Sequence, residues 1–229
     1  LRPPLKPGQT RYGYRNAISG FFEFPTENAR RILPKHLEPQ ELHHGSSIFS
    51  MTVFDFDESE VGAYGEVVMA VIVAPLLRAG ERLPKSAFYP YLVATTTKAA
   101  RDHAIERWHL PHWMEDVDVK FEPGERSLAA KVAVGGDPVA ELRIADHSWQ
   151  PVSHLYQCFM KDDSGAYQAN IVMEGGQSEH EEETGKLRLY EHPFNESLSI
   201  PDIYDQPFRE MWMREGIQTF DPLIQLQFA

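Results

Sequence analysis

Residues 104–113 read AIERWHLPHW: two tryptophans, two histidines, a glutamate and an arginine around one proline. Three kinds of chemistry could use such a stretch. His109 and His112 could ligate a metal. Glu106 and Arg107 could form an acid–base and anion-holding pair. Trp108 could wall an apolar pocket. The metal reading is the weakest, because Pro111 breaks any helical face the two histidines would share. No HExxH motif is present, and no Walker loop, GxGxxG or GxSxG is found. The single cysteine, Cys158, excludes an intrachain disulfide and a thiolate cluster. It lies in the apolar run HLYQCFM and reads as a buried structural thiol. No metal and no cofactor are therefore expected.

The elements that must position these residues can be read from periodicity. KAARDHAIERWH, 98–109, reads as a helix with an apolar stripe through Ala99, Ala100, Ala104, Ile105 and Trp108. Before it, RNAISGFFEF (15–24), SIFSMTVFDF (47–56), GEVVMAVIVAPL (65–76) and FYPYLVATTT (88–97) read as strands. The third is apolar enough for burial on both faces. TENARRIL, 26–33, reads as a short helix capped by Thr26 and stopped by Pro34. After residue 115, DVDVKFE, LAAKVAVGG, PVAELRIAD, SHLYQCFM, YQANIVME and KLRLYEH follow as six short strands between turn signals. This spacing suggests antiparallel pairing in a barrel or sandwich. DQPFREMWMREGI, 205–217, reads as a last helix and PLIQLQF, 222–228, as a final strand. SEHEEE, 178–183, reads as a solvated loop. Residues 1–14 are expected to form an extended arm and 15–229 a single domain.

Length and charge narrow the function class. The 229 residues suit one large domain with a proper core. A formal net charge of −12 argues against nucleic acid or an anionic membrane as a general partner. No apolar run is long enough for a membrane-spanning helix, and LRPPLKPG lacks the apolar centre of a signal peptide. A cytoplasmic location is the default expectation.

Four segments together resemble the acetoacetate decarboxylase family: ILPKHLEP (32–39), GAYGEVVMAVIV (62–73), the helix ending ERWHLPH, and TGKLRLYEHPFNESLSIP (184–201). The likeness runs from about Arg15 to Pro201. It implies a mainly β (α+β) fold: an antiparallel, cone-shaped β-barrel with a few peripheral helices, in a homo-oligomer. It also implies a site inside the barrel, with an early arginine and the glutamate of the Y-x-E segment mapping onto Arg15 and Glu66. The family's decarboxylases form an imine through a lysine whose pKa a neighbouring lysine depresses. Read without a gap, the resemblance puts Glu106 and Arg107 at those two places, and neither can form an imine.

The expected function is then acid–base chemistry of a lyase-like enzyme (a dehydratase, hydratase or cyclase) on a small carbonyl or carboxylate substrate of keto-acid or polyketide-like kind. Glu66 and Glu106 would move protons, while Arg15 or Arg107 would hold an oxyanion. Trp108 and His109 would line the cavity or pack in the core, the core being the favoured place for Trp108 at its helical spacing. Glu106 in an apolar barrel would have a raised pKa. Two other readings stand beside this one: a binding protein on the same fold that has lost its chemistry, and a decarboxylase whose lysine has moved to Lys98 or Lys120.

Overall fold

The structure is a computed structural model that describes residues 4–227. Strand β1 (Thr10–Pro25) opens the chain and leads into helix α1 (Thr26–Ile32). Strands β2 (Glu41–His43), β3 (Ser46–Glu58), β4 (Tyr64–Val73) and β5 (Ser86–Thr95) follow, then helix α2 (Lys98–Trp108). Next come β6 (Val117–Pro123), β7 (Ser127–Val134), β8 (Asp137–Ala145), β9 (Gln150–Asp162), β10 (Gly165–His180) and β11 (Lys186–Leu189). After two 3-10 turns, β12 (Arg209–Phe220) and β13 (Ile224–Leu226) end the described chain.

Seven strands close on themselves in the order β1-β12-β10-β9-β5-β4-β3, with β3 returning to β1. Closure gives each of the seven strands a neighbour on both sides, the β5–β9 seam being the shortest. The neighbours are antiparallel except β5 and β9, which run parallel over three residue pairs. Strand alternation divides each wall residue by residue. Along β4, Val67, Met69, Val71 and Val73 face outward into one apolar cluster, whereas Glu66, Val68, Ala70 and Ile72 face the barrel interior. Burial of β4 on both faces follows, as its β-branched run implies.

The outward cluster is covered by a second sheet, in the order β11-β8-β7-β6. Leu128, Val132, Leu142 and Ile144 of that sheet pack against Ile18, Phe22, Phe49 and Met51 of the barrel wall. The molecule is thus a barrel with an outer sheet on one flank, and α2 lies across one barrel end.

Several expectations need correction. The segment 205–217 is strand, not helix: Met211 and Met213 turn inward while Trp212 turns out. A helix there would leave β1 and β10 without their shared partner and the barrel open. Thr26 does not cap α1. Its hydroxyl bonds Ser47 instead at 2.8 Å, and Pro25 occupies the cap position. The expected arm is shorter than 1–14, since pairing begins at Thr10; residues 1–3 lie outside the described residues. The segment 178–183 is strand as far as His180. The short run at the end is strand only over Ile224–Leu226, paired with β10, and residue 228 lies outside the described residues.

Candidate functional site

The barrel encloses a cavity of about 90 Å³. That is several times the ~10–15 Å³ one water needs, so it suits a ligand of few heavy atoms. Its walls are mostly apolar: Phe54, Val68, Ile72, Phe88, Ile171 and Met173. The hydroxyls of Ser19 and Thr52 satisfy each other at 2.8 Å. Among the described residues, no lysine, arginine or histidine lines the cavity.

One carboxyl does. Glu66 follows the Tyr64–Gly65 entry into β4, where Gly65 lies close against Thr96 and Val119 and a side chain would crowd both. Pairing with Phe54 and Thr95 fixes which way Glu66 points. No described group donates a hydrogen bond to its carboxylate. The residue keeps partial accessibility, because the carboxyl meets the cavity, but its surroundings are apolar. Burial alone pushes its pKa from the ordinary 4.5 to about 8.

Glu66 also borders a smaller cleft under α2, shared with Tyr12, His103, Trp108, Leu110 and Gln218. Here three polar side chains bond one another in a short chain. Trp108 Nε1 donates to Tyr12 Oη at 2.6 Å, and Tyr12 Oη lies 2.7 Å from His103 Nε2. With its oxygen already accepting, Tyr12 is the natural donor to a neutral imidazole. Burial lowers the His103 pKa and so favours that neutral form. Burial likewise raises the Tyr12 pKa, with the Glu66 charge adding to it.

The other barrel end carries charges that neutralise one another. Register places Glu179 opposite Met211 and Arg209 opposite Phe21, so all four share the inner face. Glu179 pairs with Lys85 and accepts from Gln177 Nε2 at 3.0 Å, while Arg209 binds Glu181 at 2.7 Å.

The expected site residues divide sharply. Glu66 and Trp108 reach the interior. Arg15 does not. It is the extra residue of a bulge between Tyr14 and Asn16, which turns it outward, and it binds Asp55 through two bonds of 2.8 Å with its side chain 60% exposed. Glu106 and Arg107 lie on the solvent face of α2, so the desolvation expected for Glu106 has no basis. Arg107 donates to Gly8 O at 2.9 Å and sits over the Trp108 ring. His109 ends α2 in the left-handed region (φ 54°), bonds Asp162 at 2.6 Å and stacks on Tyr167. None of these four lines the cavity. From AIERWHLPHW, what reaches it is Leu110, held because Pro111 and Trp113 both bond the Val93 backbone. Lys98 pairs with Asp102 on the helix surface, and Lys120 is exposed on β6. Neither points into the barrel.

The residue that sequence reasoning missed is Gln218. It is 6% exposed, lines both the cavity and the cleft with Glu66, and no described group hydrogen-bonds its amide. Reading 205–217 as helix hid it. The alternation of Met211, Met213, Gln218 and Phe220 across a bulge at Glu215 (φ 50°) is the signal that would have found it.

Solved structures share this architecture. Acetoacetate decarboxylase from Legionella pneumophila superposes with a TM-score of 0.65, covering 99% of this chain and 92% of that chain at 14% identity. The chain has the acetoacetate decarboxylase fold. An acetoacetate decarboxylase-like enzyme from Sphingomonas wittichii gives 0.61 over 97% and 94% at 10% identity. The enduracididine biosynthesis enzyme MppR, complexed with pyruvate, gives 0.59 over 99% and 92% at 11% identity. No protein-family model matches the sequence. No curated protein matches it either.

Proposed function

We propose that this protein is an enzyme that moves protons on a small carbonyl compound, with Glu66 as its acid–base group and without an imine intermediate. The observation that carries the reading is Glu66 itself: among the described residues the one carboxyl that faces the apolar cavity, with no hydrogen-bond partner among them and a pKa lifted to about 8. A group that titrates near working pH is a competent proton carrier in both directions. The Glu66 carboxylate takes a proton from the carbon beside the carbonyl, the C–H electrons pass to the carbonyl oxygen, and an enolate forms. Transfer of that proton from Glu66 to the enolate oxygen completes enolisation, and its return to carbon gives exchange; its transfer to a β-hydroxyl, which then leaves as water while the enolate electrons form the C=C bond, gives dehydration instead. The fold's solved neighbours are enzymes, and the one bound to pyruvate supports a small carbonyl ligand for this barrel.

The test is exchange of α-protons in deuterated water, followed by NMR across a panel of small ketones, keto acids and keto amides. Exchange that Glu66→Gln removes supports the reading. A second arm incubates the protein with acetoacetate and borohydride. A lysine adduct in the intact mass would replace the proposed route by an imine. A protein that binds panel members and exchanges none is a binding protein on this fold.

A further inference from the structure

We infer that the cavity selects an uncharged carbonyl compound over a keto acid, and that the Gln218 amide is the group that holds its oxygen. The inference rests on the proposed small-carbonyl reading and names its substrate class. Two independent observations carry it. First, no cationic side chain lines the cavity among the described residues. Arg15, the expected partner of a carboxylate, is outside and bound to Asp55. Lys85 and Arg209 at the far end are already matched by Glu179 and Glu181. His103 in the adjoining cleft is held neutral by burial and bonded to Tyr12. An ionised carboxylate would leave water here for apolar walls without a countercharge, which is strongly unfavourable.

Second, Gln218 lines the cavity with an amide that no described protein group hydrogen-bonds and that is not sealed off from it, so its bonds are open to a ligand. Its NH₂ can donate to a carbonyl oxygen and its C=O can accept from an amide or hydroxyl. An unfilled bond of this kind also discriminates strongly between ligands that complete it and ligands that do not. Glu66 adds to the selection. A bound anion would disfavour its carboxylate form, which is the form that takes a proton. A neutral carbonyl leaves Glu66 free in either state.

The matched probes are pyruvamide and pyruvate, which have the same number of heavy atoms and differ in charge. Binding is measured by calorimetry and ligand-observed NMR at neutral pH, on the wild type and on Glu66→Gln. The expected result is pyruvamide at least ~10-fold tighter than pyruvate on both proteins, since the missing cation and not Glu66 alone sets the preference. Gln218→Met, similar in length but without the amide, should weaken pyruvamide at least ~10-fold. The side-chain amide resonance of Gln218 in the wild type should shift on titration with pyruvamide, a readout that needs no variant. Pyruvate equal or tighter, binding of neither probe, or a Gln218 resonance that does not move overturns the inference. This test reads binding alone. Preferential exchange on pyruvate would sink the inference and leave the acid–base reading standing, whereas tight pyruvamide binding without exchange would do the reverse.

Discussion

Glu66 and Glu210 both sit inside the protein, in opposite surroundings. Glu210 is fully buried and accepts from the backbone N–H groups of Ala145, Thr184 and Gly185 and from the Thr184 hydroxyl, at 2.6–3.0 Å. Such a carboxylate is structural: it ties the 181–185 loop to the outer sheet. Glu210→Ala would orphan all four donors, and urea unfolding should show a loss of about 3 kcal/mol or more. Glu66 has no such donors, so its titration should be visible in two measurements. Proton exchange on a bound carbonyl needs the carboxylate form, so its rate should climb as pH rises toward about 8 and then level off. Stability should run the other way. The folded state keeps the Glu66 proton up to about 8 while the unfolded chain releases it near 4.5. The native form therefore binds more protons across that window, and its stability falls as pH rises through it. Glu66→Gln removes the titration. The melting point of the variant relative to wild type should rise from pH 4.5 to 8 and be constant above; a difference flat over the whole range would show that Glu66 is not desolvated.

At the scale of elements, the barrel end is set by three segments that meet on Tyr12: β1, which carries it, β12, which supplies Phe220, and α2, which supplies Trp108 and His103. Tyr12→Phe keeps the ring and deletes the acceptor for the Trp108 indole, which should cost about 1–3 kcal/mol in thermal unfolding. Arg15→Ala should cost well under about 1 kcal/mol, because its ion pair is exposed, and should leave ligand binding unchanged. These contrasts show what was legible. The six strands after residue 115 and α2 followed from alternation and from the helical stripe, because local pattern and tertiary packing agree there. The burial of β4 on both faces followed from its apolar run. The side of the wall on which Arg15 falls did not. A bulge inserts one residue and reverses every side chain beyond it. Nothing local in TRYGYRNAIS announces this, because Gly216, which leaves room for Tyr14, lies across the pair on β12. Likewise REMWMREGIQTF has charges at helical spacing and becomes strand only because two distant strands need it.

At the scale of the whole molecule, chain order makes the barrel and the outer sheet interdependent. The outer sheet takes β6, β7 and β8 from the middle of the sequence, but its fourth strand, β11, arrives only after β9 and β10 have been laid into the barrel. Residues 117–145 therefore lack a strand that the barrel delivers. The barrel in turn depends on this sheet to cover the outward faces of β1, β3 and β4. Leu142 is at the contact, fully buried, with the Phe22 and Phe49 side chains in the same cluster. Leu142→Ala would remove buried methyl groups from a closely packed seam and should cost about 2–5 kcal/mol. If the two layers form one cooperative unit, this loss is shared. Native-state hydrogen exchange should then show amide protection in β8 and in β10 falling by the same free energy, although β10 lies in the barrel wall, with β9 and β12 as its neighbours. Loss confined to β6, β7 and β8, with β10 unchanged, would show instead that the barrel stands alone and that the outer sheet is an ornament the site does not require.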